Sequence, residues 1–252
     1  MLHMLNPSVL PGFSFSWVQI ISHRFFLPRL IQSERRMLWS VCKLLLVDFL
    51  EFLNPYLLRV PLSNTIRIFY KASLRIMLVL VHDFPEFLCD YHFDLVNVIP
   101  YSCVQLRNLI LSAFPQDMKL PDPFTPNLKV DLLPEINQSP NILSDYTASL
   151  AQLHLLENLE LYLETRGPQS FLTTLSSKFI VESSGPSANY DIKAINSLVL
   201  YTGIKAISNM KSKVNLPEGV SNAPLDIFQQ LSNDMDSESK TCYLNFRPLL
   251  SF

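Results

Sequence analysis

Apolar residues recur every three or four positions along most of the chain, a spacing that predicts helices rather than strands. The first such stretch covers residues 13–27, between Pro11-Gly12 and Pro28. The same spacing predicts further helices over residues 33–53, 64–82, 102–114, 144–165, 168–179, 190–210 and 224–244. Strand-like alternation never extends beyond a few residues. The pattern predicts an all-α fold of the HEAT-like α-solenoid type, in which antiparallel helix pairs stack.

Prolines and polar caps define where these helices are expected to begin and end. The chain contains 18 prolines but only 5 glycines, which favours helices cut at their ends and disfavours tight hairpins and phosphate-binding loops. Ser33 is placed to cap the helix over 33–53, although the acid of a capping box is missing. Asn54-Pro55 is expected to end that helix, because a proline inside a helix removes a hydrogen bond.

Residues 115–143 interrupt the helical pattern. Six prolines fall in this stretch, so it can be neither a regular helix nor a central strand. A connection of this length inside a compact domain is either functional or mobile. We therefore expect a single helical domain over residues 1–252 that contains a long proline-rich irregular segment.

The stretch HDFPEFLCDYHFD, residues 82–94, concentrates two histidines, one cysteine and four acids. One interpretation is a boundary between two helices. Asp83 would cap the second helix, with Glu86 reaching back and Pro85 in the first turn. His82 would then end the preceding helix, where a cationic ring suits the negative helix end. This interpretation explains the stretch without any ligand.

The other interpretation of the same stretch is a metal site. Cys89 and His92 lie on one helix face and could supply two ligands. His82 or Cys103 would have to complete the set, whereas a structural zinc usually takes four ligands from tighter clusters. We therefore predict helix capping and no metal, with Cys89 as a small core residue.

Composition and charge narrow the function classes. Charged residues make up 17% of the chain, below the roughly 25% of typical soluble domains. The most apolar stretch, residues 37–53, is interrupted by Lys43, Asp48 and Glu51, whereas a membrane-spanning helix needs about 20 mostly apolar residues. A buried helical core is the better interpretation, with a membrane-surface helical protein as an alternative. The net charge of -2 indicates no direct binding of nucleic acid.

Motifs of catalysis are missing from the sequence. It contains no nucleophile elbow, zinc-protease, P-loop or dinucleotide-binding pattern. The four cysteines form no CxxC pair, which favours reduced thiols in a cytosolic or nuclear protein. We predict neither catalytic residues nor a cofactor, and an enzyme with a dispersed helical site stays open as an alternative.

Four stretches go beyond a generic helical protein, namely residues 5–26, 82–92, 105–136 and 196–207. Together they resemble the carboxy-terminal domain of subunit one of the Ccr–Not complex, the large scaffold of the cytoplasmic mRNA deadenylase. The resemblance runs from about Leu5 to Asn245, and the proline-rich stretch 115–136 is its most specific part. The tail NFRPLLSF, residues 245–252, diverges from the family pattern, so we expect a chain truncated at both ends relative to the family.

The resemblance implies a non-catalytic, HEAT-like scaffold domain. It would dock subunits two and three of the complex and mRNA-specific repressor proteins, in support of deadenylation, mRNA decay and translational repression. It implies no membrane partner and a protein of the cytoplasm, with the nucleus as a second compartment.

Partner binding is predicted on residues 119–136, with Lys119, Asp122, Phe124 and Lys129 as the contacts. Prolines hold such a segment extended, which lowers the entropy lost on docking. The alternative is that Phe124 fills a groove between helices and acts as an internal buckle. The sequence leaves both roles open.

Overall fold

The computed structural model describes residues 1–33, 36–59, 61–115, 122, 124–129, 132–133, 142–181, 189–212 and 222–235. Within these ranges the regular structure is almost entirely α-helical. The chain divides into two compact units. Unit 1 contains residues 1–121 and 141–144, and unit 2 contains residues 122–140 and 145–252. The single domain over residues 1–252 stays a prediction.

Unit 1 is built around two long helices of 19 and 20 residues. Its helices are α1 (Ser14–Ile21), α2 (Phe26–Ile31), α3 (Trp39–Leu57), α4 (Asn64–Asp83), α5 (Pro85–Asn97) and α6 (Val104–Leu111). Helix α3 packs against α2, α4 and α5. Phe49 and Phe52 of α3 meet the buried Phe69 of α4 edge to face, with ring centroids 6.2 and 5.7 Å apart. Trp17 of α1 is fully buried beside Phe49.

Unit 2 carries the remaining helices. They are α7 (Ala148–Gln152), α8 (Leu156–Thr165), α9 (Gln169–Leu175), a short 3₁₀ helix (Ser176–Phe179), α10 (Ile192–Ser212) and α11 (Ala223–Asp234). A two-residue antiparallel pair joins β1 (Ile180–Val181) to β2 (Asn189–Tyr190). Arg166, just after α8, binds Asp226 of α11 through two hydrogen bonds of 2.6 and 2.9 Å. Helix α11 packs on α8, α9 and α10.

Two of the predicted helices are each broken in two. The stretch 13–27 forms α1 and α2 with a turn after Ser22, whose hydroxyl donates to the Val18 carbonyl. The stretch 144–165 forms α7 and α8, because His154 adopts a left-handed φ of 53°. Leu155 and His154 then donate backbone hydrogen bonds back to Leu150 and Ala151, the pattern of a Schellman helix end.

The predicted ends of α3 are also wrong. The helix begins at Trp39 rather than at residue 33, and Ser33 accepts a hydrogen bond from the Leu38 N–H instead of capping the first turn. The helix continues through Pro55 to Leu57. Proline is tolerated there because it lies in the last turn and its missing N–H leaves only the carbonyl of the exposed Glu51 without an intrahelical donor.

The helix boundary inside residues 82–94 is confirmed, but the predicted cap is wrong. Helix α4 runs on through Asp83, so Asp83 is helical and its carboxylate pairs with the His82 ring at 2.6 Å. Phe84 takes the N-cap position and offers no side-chain acceptor. Pro85 opens α5 as predicted, where its missing N–H is not needed.

The predicted all-α fold is confirmed, since helices account for nearly all regular structure in the described ranges. Where the structure describes them, the ends of the other predicted helices lie between zero and four residues from their expected positions, because helix ends are weakly specified by the local sequence. The part of the chain predicted as helical after residue 235, and the tail 245–252, lie outside the described residues. Among the described helices, none is long and apolar enough to cross a bilayer.

Candidate partner-docking site

The described part of the predicted binding segment is a series of turns. The Asp122 carboxylate accepts a hydrogen bond from the Phe124 N–H at 2.9 Å, and the Asp122 carbonyl accepts one from Thr125 at 2.9 Å. The next turn is closed by the Leu128 N–H on the Thr125 carbonyl, with Asn127 at a left-handed φ of 60°. Aspartate and asparagine favour such turns because their short side chains bond nearby backbone groups.

The Phe124 side chain is 90% exposed. The internal-buckle alternative is therefore wrong for this residue, because a plug between helices would be buried. Leu132, further along the segment, is 75% exposed. Large apolar side chains held in water on an irregular segment are typical of surfaces that contact a partner.

The four predicted contacts are only partly brought together. Asp122 and Phe124 share one turn, and Asp122 and Lys129 are both exposed. The Lys129 carbonyl accepts a hydrogen bond from the Leu132 N–H at 3.1 Å, which places Leu132 beside Lys129 in the next turn. Lys119 lies outside the described residues. The assignment of these residues to partner binding stays a prediction.

The residues of the 82–94 stretch are held by their own helix. The His92 ring Nδ1 lies 2.7 Å from the Cys89 carbonyl, which accepts its proton. Burial lowers the pKa of His92, so the ring is neutral near neutral pH. Burial, followed by the charges of Asp90 and Glu86, raises the pKa of the Cys89 thiol to about 11. Among the described residues, no three histidine, cysteine or acidic side chains converge on a point that could hold a metal.

Two buried carboxylates of unit 1 have basic partners. Asp90 of α5 receives a hydrogen bond of 2.8 Å from Arg36, whose guanidinium lies 4.3 Å from the Trp39 ring centroid. Burial raises the pKa of Asp90, and Arg36 acts in the opposite direction. Asp48 of α3 is paired in the same way with His3 at 2.7 Å. These pairs connect Arg36 to α5 and a short 3₁₀ helix (His3–Leu5) to α3.

An apolar groove lies between α1 and α4 and has a volume of about 560 Å³. Its lining comprises Phe15, Val18, Gln19, Ser22, Leu27, Ile68, Phe69, Lys71, Ala72, Arg75, Ile76 and Val79. Phe15 stacks on Phe69 with ring centroids 4.4 Å apart and keeps half of its surface exposed. The apolar spacing along the chain did not predict this groove.

A sequence signal for the groove exists in α4. Besides its buried face, the helix carries a second apolar stripe through Ile68, Ala72 and Val79. Spacing alone cannot tell which stripe is covered, because Leu78 also falls at the apolar spacing of α4 and the structure leaves it 54% exposed. Only the fold shows that α1 stands beside the second stripe without covering it.

Comparisons with known proteins point to one family. The family model described as "CCR4-Not complex component, Not1" matches residues 1–246. The Caenorhabditis elegans CCR4-NOT transcription complex subunit let-711 is 35% identical over 96% of this chain and 10% of its own length. The Saccharomyces cerevisiae general negative regulator of transcription subunit 1 is 33% identical over 81% of this chain and 10% of its own. The chain thus spans about a tenth of the length of these relatives.

Solved structures agree with this assignment. The NOT1 superfamily homology domain from Chaetomium thermophilum superposes with a TM-score of 0.86 at 27% identity, over 97% of this chain and 49% of that one. A Not1 C-terminal domain, solved in complex with Not4, gives a TM-score of 0.77 at 30% identity over 96% of this chain and 49% of that one. These neighbours confirm the predicted HEAT-like, solenoid-type helical class.

Proposed function

This chain belongs to the Not1 family of CCR4-Not complex components, and on that premise we propose that it is a non-catalytic scaffold domain that docks other proteins of the complex. Its partners in this proposal are complex subunits two and three and mRNA-specific repressor proteins. Docking would bring them together for deadenylation, mRNA decay and translational repression, in the cytoplasm and in the nucleus. The solved complex of a related domain with Not4 supports a protein-docking role.

The exposure of Phe124 is the single observation that carries the proposal. The ring is 90% exposed, yet the backbone beneath it is fixed by two hydrogen bonds to Asp122. An aromatic side chain presented on a pre-formed turn loses little entropy on docking and can bury most of its surface. Asp122 and Lys129 place one charge of each sign on the same segment. Such charges select a partner more than they strengthen binding.

The binding experiment measures the affinity of purified subunits two and three for the full chain by calorimetry. Phe124→Ala is expected to weaken binding about tenfold or more, as loss of a central aromatic contact does. The triple variant Lys119→Gln, Asp122→Asn, Lys129→Gln, which keeps a side-chain acceptor at position 122, should weaken it too and make the remaining affinity less dependent on salt. Neither change should alter the melting temperature, because the side chains of Asp122, Phe124 and Lys129 are exposed.

Leu225→Ala provides the matched control, since Leu225 is 63% exposed on α11 and far along the sequence from the segment. It should leave the affinity unchanged. Equal affinity of the wild-type chain and of both segment variants would remove residues 119–136 from the docking site. Absence of binding by the wild-type chain would refute the scaffold proposal itself.

The enzyme and membrane alternatives have their own tests. Purified chain incubated with a polyadenylated RNA should leave the tail length unchanged on a denaturing gel. The same chain mixed with liposomes should stay in the dense fraction on flotation. Shortening of the tail would support an enzyme, and comigration with the liposomes would support a membrane-surface protein.

A further inference from the structure

We propose that the groove between α1 and α4 binds an acidic amphipathic helix of a partner protein. The groove shares no residue with the segment 119–136. This second surface therefore stands or falls separately from the docking role proposed above.

The floor of the groove is apolar and buried, and its walls are apolar but exposed. Val18 of α1, Leu27 of α2 and the α4 residues Phe69 and Ile76 form the floor, and each is less than a tenth exposed. The walls rise on both sides to Phe15, Ile68 and Val79, which are 48%, 55% and 44% exposed. Burying these three side chains under a partner would release water from a connected apolar surface.

The rim of the groove is basic. Lys71 and Arg75 are its only charged lining residues, and both are exposed. Arg67 lies one helical turn before Lys71 on α4. Residues 1–33 and 64–82 contain no aspartate or glutamate, so nothing on α1, α2 or α4 up to that point neutralises these cations. This local excess contrasts with the net charge of -2 of the whole chain and favours an acidic partner.

The dimensions of the groove suit a helix. The residues of α4 that line it run from Ile68 to Val79, which at 1.5 Å per residue is about 17 Å. About three turns of a partner helix span that distance, with anchors at positions i, i+3 or i+4, i+7 and i+11. Acidic residues flanking such an apolar stripe would meet Lys71 and Arg75.

Nucleic acid and lipid fit the groove less well. Binding a nucleic acid relies on neutralising many phosphates, whereas two cations line a surface that is otherwise mostly aliphatic and aromatic. A bilayer surface would reach the exposed walls but not the buried floor. Both classes therefore serve as outcomes of the test.

The test uses the full chain and a fluorescent 16-residue peptide of known composition. The acidic probe carries leucine at the four anchor positions and glutamate at the flanking positions. One companion replaces each glutamate by lysine, and another replaces each leucine by serine. The groove variant is Lys71→Glu with Arg75→Glu. The control, Lys178→Glu with Lys193→Glu, changes the net charge equally at exposed residues of unit 2.

Fluorescence anisotropy should show saturable one-to-one binding of the acidic probe and little binding of either companion. The groove variant should weaken the acidic probe about tenfold and should now prefer the lysine companion. The control variant and Phe124→Ala should bind like the wild-type chain. All variants should melt at the wild-type temperature, since the substituted side chains are exposed.

Several results would overturn the proposal. One is the absence of saturable binding of the acidic probe up to about 1 mM. Another is binding of the acidic probe that the groove variant leaves unchanged. Tighter binding of a uridine 15-mer or of phosphatidylserine vesicles, lost in the groove variant, would assign the groove to RNA or to a membrane surface. Concentration-dependent dimers that the groove variant abolishes would assign it to a second copy of this chain.

Discussion

Two aspartates of unit 1, Asp48 and Asp90, are buried although their residue type favours the surface. Asp48 and Asp90 are acids on helices, and their spacing alone does not distinguish them from solvent-facing residues. Both are nearly inaccessible and are held by His3 and Arg36, which lie outside α3 and α5. The sequence could not pair them, because each partner lies more than forty positions away and only the fold brings the two together.

His92 gives a testable dependence on pH. Burial lowers its pKa in the folded chain, while the hydrogen bond to the Cys89 carbonyl and the charge of Asp94 act in the opposite direction and do not prevail. As the pH falls, His92 is therefore protonated near pH 6.5 in the unfolded chain and only at a lower pH in the folded chain. The contribution of neutral, buried His92 to stability is complete above about pH 6.5 and is lost as the pH falls through the lowered pKa of the folded chain.

The measurement compares melting temperatures at about pH 7.5 and about pH 5 for the wild-type chain and His92→Gln. The wild-type chain should lose more stability between the two values than the variant. His23→Gln serves as the control, because that histidine is exposed. An equal loss in the wild-type chain and in His92→Gln would show that His92 is not the group responsible.

Phe124 marks the limit of what the sequence could predict at this scale. Its proline-rich surroundings correctly indicated irregular backbone, and Asp122 followed the turn chemistry expected of aspartate. Whether the ring pointed inward or outward depended on neighbours that are distant in sequence. Pattern analysis therefore left two roles open, and only the exposure of the side chain removed one of them.

At the scale of helices, the sequence predicted the type of element, but it did not predict where a helix breaks or which residue caps it. The apolar spacing located almost every helix, and it missed breaks that depend on one backbone angle, as at His154. At residues 82–94 the predicted boundary was right, but the cap was misplaced by a single residue. Asp83 stayed helical because α4 continued one residue further, and the capping position passed to Phe84.

A pair of substitutions tests the assignment of helix caps. Ser63 accepts a hydrogen bond from the Ile66 N–H at 3.3 Å and is a true side-chain cap of α4. Ser63→Ala should lower the free energy of unfolding by about 1 kcal/mol, since it removes the acceptor of a free helix-end donor. Asp83→Ala should change it by less than about 0.5 kcal/mol, as expected for an exposed surface residue.

Urea unfolding followed by circular dichroism measures both values. Asn64→Ala is a suitable reference, because Asn64 is exposed and neighbours the cap without making its bond. A larger loss for Asp83→Ala than for Ser63→Ala would restore the capping role that the sequence suggested for Asp83.

On the scale of the whole molecule, two spectroscopic probes can follow the unfolding of different parts of the chain. Its two tryptophans, Trp17 and Trp39, both lie in unit 1. Tryptophan fluorescence therefore follows unit 1, whereas circular dichroism follows the helices of both units. The salt bridge between Arg166 and Asp226 lies wholly in unit 2. These positions allow the predicted single domain over residues 1–252 to be tested.

Asp226→Asn should destabilise unit 2, because Arg166 then loses the carboxylate whose pKa it holds below the usual range. For a chain of this size we expect a melting temperature lower by about 2–4 °C. If residues 1–252 form one cooperative domain, fluorescence and circular dichroism should shift together. Glu157→Gln, which removes an exposed charge of α8, should shift neither. A shift in circular dichroism with unchanged fluorescence would show two domains instead of one.

The burial of Cys42 and the partial burial of Cys89 and Cys103 have a practical consequence for handling the protein. Burial raises the pKa of Cys42 to about 12 and that of Cys89 to about 11, and it also raises that of Cys103. Only the thiolate reacts readily with alkylating reagents and peroxides, so these thiols are nearly inert while the fold is intact. Brief exposure to iodoacetamide would thus label them chiefly in molecules that have opened. Mass spectrometry of the labelled peptides could then time local opening around α3, α5 and the start of α6.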